Sequence, residues 1–420
     1  MYKKNYLNLA KFRISRQLFL VLLAAFIIPL LLLGSFLVFS RSGDAAEQPK
    51  LRTRDLSIYN AMDMIPAGRL GAGRIIDLAW FYKPPDDGNP DLVARHFQTY
   101  ILTKKDEGFR DSLEARGASG PFLQYLRIDA IMDPGDCDSE PWQNQVAFKP
   151  GDFCDISDNH KDWFLRAKNG DRIDAGEDFW MMDPSNEEWR AFWLERAIES
   201  QEKFGWDGVF IDNLEASIDR FERKGIDLKW YPDDASYQAE MEEFLQYITE
   251  SYFKPEDRPL SANIINVRDS EIWFRYLNYL DSAMDESFAV DWLDGYLEPD
   301  SWEEHLSRAE ETQKLGKFVI LVAQGEEDDL TRQEFAFASY LLITSGQASF
   351  RYAHNENYSD LWLYPNYDVN LGFPRGERFW DGEMWRRDFA RGYVRVDPEE
   401  QTASIVVYPC PLCPNPSEQK

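Results

Sequence analysis

Histidine is scarce in this chain, and basic residues are in the minority. Only His96, His160, His305 and His354 occur in 420 residues, and no two of them form a His-x-His pair. A metal-dependent barrel hydrolase, which draws on clustered imidazole ligands, is therefore disfavoured, and no cofactor is called for. The 46 Lys and Arg stand against 74 Asp and Glu, a net charge of −28. Such a balance argues against nucleic acid or an anionic lipid surface as partner of the folded part, and by itself favours a cationic ligand. Cysteine is limited to four. Cys137 and Cys154 lie in one Asp-rich, loop-rich stretch and can bridge to pin a long loop, while Cys410 and Cys413 can form a small terminal bridge or half of a metal site. Sixteen residues separate the first pair, which is not the spacing of a zinc knuckle, so disulfides are the expectation. Internal repeats and low-complexity tracts are also missing.

What is abundant is aromatic. The chain holds 14 Trp, 20 Tyr and 28 Phe, more rings than a core needs, and flat rings are what sugar-binding clefts stack against pyranose C–H faces. The N-terminus is a separate object. Residues 1–17 carry Lys3, Lys4, Lys11, Arg13 and Arg16 with no acid, and the 22 residues 18–39 run without a charge. That run is long enough to cross a hydrocarbon core as a helix, and the basic flank should stay in the cytoplasm. Its length and the lack of a small-x-small cleavage site favour an uncleaved signal anchor over a removed signal peptide. Residues 40–56, with Gly43 and Pro49, read as a linker. Everything beyond is then exported, tethered to the membrane or, if the segment is cut, secreted.

From residue 57 to 375 strand-like and helix-like text alternates. Strands are expected at 74–82, 98–103, 122–129, 208–212, 259–265, 280–288, 317–323 and 347–353. Between them lie helical stretches, three of them opened by the capping-box spacings Ser185-x-x-Glu188, Ser301-x-x-Glu304 and Thr331-x-x-Glu334. Eight alternations over some 280 residues predict a (β/α)8 TIM barrel, followed at 376–420 by a small β appendage and tail. An irregular section between the third and fourth strands is long enough to be a functional loop.

The acids fall at strand ends. In GWDGVFIDNLE, residues 205–215, a Gly-x-Asp-Gly turn leads into the apolar run Val209-Phe210-Ile211, which stops at Asp212 and Asn213. Asp129 ends the third strand and Glu286 the sixth; Glu326 and Asp328 belong to an acidic run and read as a solvated loop. A barrel brings all C-terminal strand ends to one rim, and glycoside hydrolysis needs two carboxyl groups across a scissile bond. Asp212 and Glu286 are the candidate catalytic pair. Ala283, Met284 and Phe288 surround Glu286 with apolar groups, which raises a carboxyl pKa and suits a proton donor. Trp80, Tyr82, Asp129, Trp180, Asp183, Asn213, Asn263 and Tyr352 are candidate substrate-binding residues, although Asp183 can equally cap the helix after Pro184.

The segment WMMDPSNEEWRAFW, the later GWDGVFIDN and the downstream MDESF resemble the TIM-barrel families of extracellular glycoside hydrolases related to the endo-α-1,4-polygalactosaminidases. The resemblance is best over 160–290 and extends over 74–397. It implies Asp212 and Glu286 as the two catalytic carboxylates acting on a cell-surface or extracellular polysaccharide. The competing expectation is a non-catalytic carbohydrate-binding barrel that keeps the aromatic cleft without the chemistry.

Overall fold

The apolar runs become strands of one parallel sheet because helices cover its outer face and side chains fill its inner one. A computed structural model describes residues 76–292 and 295–409; the expected anchor at 18–39, its basic flank, the linker and the pair Cys410 and Cys413 lie outside the described residues. In chain order the first half holds β1 (Ala79–Tyr82), α1 (Pro90–His96), β2 (Thr99–Leu102), α2 (Glu107–Glu114), β3 (Phe122–Arg127), β4 (Ala130–Met132), α3 (Asp152–Asn159), β5 (Asp174–Gly176), β6 (Phe179–Met181), α4 (Glu187–Phe204) and β7 (Gly208–Glu215). The second half holds α5 (Asp219–Arg223), α6 (Asp234–Ile248), β8 (Leu260–Ile265), α7 (Ser270–Leu277), β9 (Ser282–Asp285), α8 (Pro299–Lys314), β10 (Phe318–Gln324), α9 (Leu330–Ile343) and β11 (Ala348–Ala353). A final antiparallel sheet follows, made of β12 (Phe379–Trp380), β13 (Trp385–Phe389), β14 (Gly392–Asp397) and β15 (Thr402–Val407).

The eight-stranded sheet runs β1-β2-β3-β7-β8-β9-β10-β11, every neighbouring pair parallel. Its two ends meet at a single bridge between Leu78 and Phe350, so the sheet forms a nearly closed (β/α)8 barrel. The Phe350 N–H donates to the Asp77 carbonyl at 2.9 Å. Across the same joint the Tyr340 hydroxyl accepts the Asp77 N–H at 3.0 Å and donates to the Ala348 carbonyl at 3.1 Å.

Alternation along the strands sorts the side chains. Ala79, Phe81, Ile101, Leu123, Phe210, Met284, Phe318, Ile320 and Val322 pack inside the barrel. Their neighbours, among them Leu78, Trp80, Leu102, Val209, Ile211, Leu321 and Phe350, pack outward beneath the helices. On α6, Met241, Phe244, Leu245 and Ile248 are buried, a single apolar stripe at helical spacing.

Three helix starts differ from expectation. The cap of α4 is Asn186, whose side chain accepts the Trp189 N–H, and the cap of α9 is Asp329, which accepts the Arg332 N–H. Helix α8 opens with Pro299 after Glu298, leaving Ser301 inside its first turn. In each case an Asn, an Asp or a proline within two residues of the Ser or Thr takes the terminus instead. The irregular section is more ordered than its text: β4, β6 and β5 form an antiparallel sheet, and the expected Cys137–Cys154 disulfide is present. The terminal sheet docks on α9, where the Arg387 guanidinium reaches the carbonyls of Leu341 and Thr344 at 3.2 and 2.7 Å. Among the described residues no helix is long and apolar enough to cross a membrane.

Candidate active site

Each residue of the Gly-x-Asp-Gly turn launches β7 in a different way. Gly205 ends α4 in the left-handed conformation (φ 72°), where a side chain is disfavoured. Trp206 is buried beneath the Arg110 guanidinium, and the Asp207 carboxylate accepts the Phe122 N–H at 2.7 Å, tying β7 to β3. Gly208 lies so close to Pro259 that a Cβ would come within 2.2 Å of its carbonyl oxygen. Four residues later the register against β8 slips: Ile211 faces Ala262, but Leu214 faces Ile264. Asn213 sits in that bulge with φ 58°, a conformation Asn tolerates better than most residues. Asp212 therefore keeps the inward direction of Phe210, while the residues after it turn away.

Inward parity brings the functional groups together at the C-terminal mouth. The Asn263 amide nitrogen donates to both carboxylates, at 3.2 Å to Asp212 and 2.6 Å to Glu286. Since one nitrogen holds both, the two oxygens cannot be farther apart than those lengths together, about 5.8 Å. Asp212 also accepts a short hydrogen bond from the Tyr125 hydroxyl. Glu286 accepts from the Tyr358 hydroxyl at 2.7 Å and from Tyr82 at 3.4 Å, and the Gln324 amide steadies both its backbone carbonyl (3.2 Å) and the Tyr358 hydroxyl (2.9 Å).

The two acids do not experience the same field. Glu286 is set deep in the protein while keeping part of its surface open; burial first, and then the charge of Asp212, push its pKa up to about 7. Asp212 is also raised by burial, but the Tyr125 hydroxyl, the Arg127 guanidinium and the Asn263 amide favour its ionised form. Arg127 does not lock Asp212 in an ion pair. Its guanidinium is engaged instead with both oxygens of Asp129, each at 2.9 Å. Two separate clefts flank the pair. One, of about 560 Å³, is lined by Tyr82 and Tyr125 with Lys83, Lys105 and Trp142; the other, of about 410 Å³, by Asn263 and Glu286 with Trp292 and His305.

A family model described as hypothetical glycosyl hydrolase family 15 matches residues 139–393, more than half of the chain and the part that carries both acids. The chain belongs to that family. It is therefore a glycosidase by class. No curated protein matches it. Among solved structures, it is similar to the glycoside hydrolase domain of PelA from Pseudomonas aeruginosa, at 16% identity and a TM-score of 0.43, over 68% of this chain and 97% of that one. It is also similar to Aspergillus fumigatus Ega3 in complex with galactosamine (12%, TM-score 0.43, 72% and 99%) and to the maltogenic α-amylase AmyB from Thermotoga neapolitana (12%, TM-score 0.45, 77% and 86%).

In this family 15 member the structure gathers Asp212, Glu286, Asn263 and Tyr82 from the residues expected at the site and sets others apart. Trp80 is fully buried on the outward face of β1, its indole N–H donating to the Lys83 carbonyl and its ring under the Arg351 guanidinium. Tyr352 likewise points outward, packing on Trp362 and donating to the Glu326 carbonyl at 3.3 Å. Both lie one residue out of step with the inward parity of their strands. Asp183 is buried, bonded to the Tyr231 hydroxyl and to Ser185, and so fastens a loop. Asp129 neutralises Arg127, and Asn213 reaches Asp129 at 3.5 Å rather than the carboxylate pair. Trp180 is half-buried in β6 opposite Ile131 and Asp174, a strand of the loop sheet. The residues missed are Tyr125, Tyr358 and Gln324. Tyr125 and Gln324 could have been found by counting two residues on from Leu123 and Val322; Tyr358 stands five residues beyond β11 and carries no such signal.

Proposed function

We propose that the chain is a retaining glycoside hydrolase that cleaves an extracytoplasmic polysaccharide, with Glu286 as general acid and base and Asp212 as nucleophile. The observation that carries this reading is the Asn263 amide shared by the two carboxylates. Retaining enzymes hold their carboxyl groups about 5–5.5 Å apart and inverting ones about 6.5–9.5 Å; the bridged oxygens, one from each acid, lie within about 5.8 Å of each other, which supports the closer arrangement. In the first step Glu286, kept protonated by burial, gives its proton to the leaving oxygen while ionised Asp212 attacks the anomeric carbon from the opposite face. In the second, Glu286, now ionised, takes a proton from water as that water displaces Asp212, which restores both groups and the anomeric configuration. Tyr358 and Tyr82 orient Glu286, and Tyr125 orients Asp212.

The charge-free run at 18–39 behind a basic flank supports an anchor that leaves the barrel outside the cytoplasm. The test is hydrolysis of a glycan panel with NMR detection of the first-formed anomer. Wild type should release product of retained configuration, and Glu286→Gln should lower turnover by about 10²–10⁴-fold, the usual share of a general acid. Inverted product would exclude Asp212 as nucleophile, and no turnover on any glycan would favour a carbohydrate-binding barrel.

A further inference from the structure

The larger cleft beside the carboxylate pair carries a feature the catalytic groups do not use. It is lined by Tyr82 and Tyr125 and by Trp142, which leaves 51% of its surface exposed. Trp142 is not on a loose segment. The disulfide Cys137–Cys154 closes the loop that bears it. Next to it Gln143 is buried, accepting from the Lys104 ammonium at 2.8 Å and donating to the carbonyls of Pro141 and Phe148 at 2.8 and 3.1 Å. The Arg127 N–H then bonds the Asn144 carbonyl at 2.9 Å. One edge of the indole packs on Phe179, with ring centres 5.9 Å apart. A rigidly mounted, half-exposed tryptophan that shares a cleft with two tyrosines offers a stacking face for a pyranose ring.

The charges in this wall run against those of the whole molecule. Lys83, just past β1, and Lys105, just past β2, both line the cleft and are exposed; Glu140 is the one acid among its lining residues. Neither lysine stands within ion-pair distance of a carboxylate among the described residues, although Lys105 is close enough to Asp106 to favour the ionised form of that carboxyl. In a chain with 74 acids and 46 bases, a cleft lining with two exposed ammonium groups against one carboxylate favours a negative ligand.

Resting on the glycosidase reading above, we propose that this cleft is a substrate subsite for a negatively charged sugar, with Trp142 as stacking face and Lys83 and Lys105 contacting its anionic substituent. The net charge of −28 thus does not describe the local field at the site, and the enzyme acts on an anionic glycan rather than an amine-bearing one. The anionic group can be a carboxylate or a sulfate, which present the same acceptor chemistry to two ammonium groups.

The test is binding of four hexameric probes to the full chain carrying Asp212→Asn, measured by calorimetry at low and high salt: a galacturonate oligomer, its carboxyl-reduced galactose counterpart, a sulfated galactose oligomer and a chitosan oligomer. The galacturonate or the sulfated probe should bind about tenfold tighter than the neutral one at low salt, since each exposed ion pair contributes only a few-fold, and the margin should shrink with salt. Which of the two binds better identifies the anionic group. Adding Lys83→Gln and Lys105→Gln should bring the anionic probe to the affinity of the neutral one without lowering Tm, and Trp142→Ala should weaken both. Equal or tighter binding of the neutral or chitosan probe, a preference that survives the lysine substitutions, or no binding of either anionic probe overturns the proposal. The two readings fail separately. Charge-selective binding without hydrolysis by wild type would leave the subsite and remove the enzyme; hydrolysis without charge preference would do the reverse.

Discussion

Removal of the shared amide by Asn263→Ala should displace both limbs of the pH–rate profile in the same direction. Glu286 works protonated, so activity falls as pH rises through its pKa; Asp212 works ionised, so activity falls as pH drops through its own. The Asn263 amide stabilises the charged form of each acid, and its loss raises both pKa values. A hydrogen bond to a charged group contributes about 1.5–3 kcal/mol, and about 1.4 kcal/mol is one pKa unit, so the stronger contact, 2.6 Å to Glu286, is equivalent to about one to two units. The alkaline limb, at about 7 in wild type, should therefore move to about 8 to 9. The 3.2 Å bond to Asp212 is at the long end of the normal range, and the acid limb should move less. Among the described residues the Asn263 carbonyl oxygen has no partner, so truncation to alanine strands no other polar group. The assay is kcat/KM on one glycan between pH 4 and pH 10, with Tm recorded for the variant. An alkaline limb within a few tenths of wild type, or displaced toward acid, refutes the bridging role and with it the argument for retention.

Two further outcomes follow from the same contacts. The Glu286 carboxyl has a folded-state pKa of about 7 against an ordinary 4.5, so its contribution is intact below about pH 4.5 and is lost as pH rises through about 7. By pH 8 the cost is of the order of 3 kcal/mol, less the screening by water at its open face; thermal unfolding of Glu286→Gln should show a Tm gain over wild type that grows from pH 5 to pH 8, and parallel Tm–pH curves would contradict the burial argument. Replacing Cys137 and Cys154 by serine opens a loop with a sequence separation of 17 and should cost about 3 kcal/mol in denaturant unfolding, whereas an unchanged midpoint would mean that the β4-β6-β5 sheet holds the loop without the bridge.

The barrel was legible because its strands are short apolar runs ending in punctuation, and helices with caps separate them. That Asp212 and Glu286 meet at the mouth was legible for a related reason: an acid directly after a buried apolar run emerges at the C-terminal rim of the barrel. What the text hid was direction. Whether a strand-end residue faces the mouth or the helices depends on one step of alternation, and expectations for Trp80 and Tyr352 fell on the wrong side of it. Asn263 read as a cleft residue, yet it spans two acids contributed by the strands on either side of it, a relation that the order of strands in the sheet creates. The helix starts were misplaced by one or two residues because Asn186 and Asp329 compete for the role assigned to Ser185 and Thr331. Tyr358 was out of reach altogether, since a loop side chain returns to the mouth for reasons of packing and not of period.

The thin joint between the first and last barrel strands has a bearing on the proton donor. Every other neighbouring pair of strands is in register at three or more positions, and this one at a single bridge. Tyr82 ends the strand on one side of it, and Tyr358 hangs from the strand on the other; both hydroxyls rest on the same oxygen of Glu286. Breathing at that joint, the least costly local opening such a ladder allows, would withdraw two hydrogen bonds from the carboxyl together. The tightness of a backbone closure thus adds to burial and the Asp212 charge in tuning the donor, and warming can retune the chemistry well before the barrel comes apart.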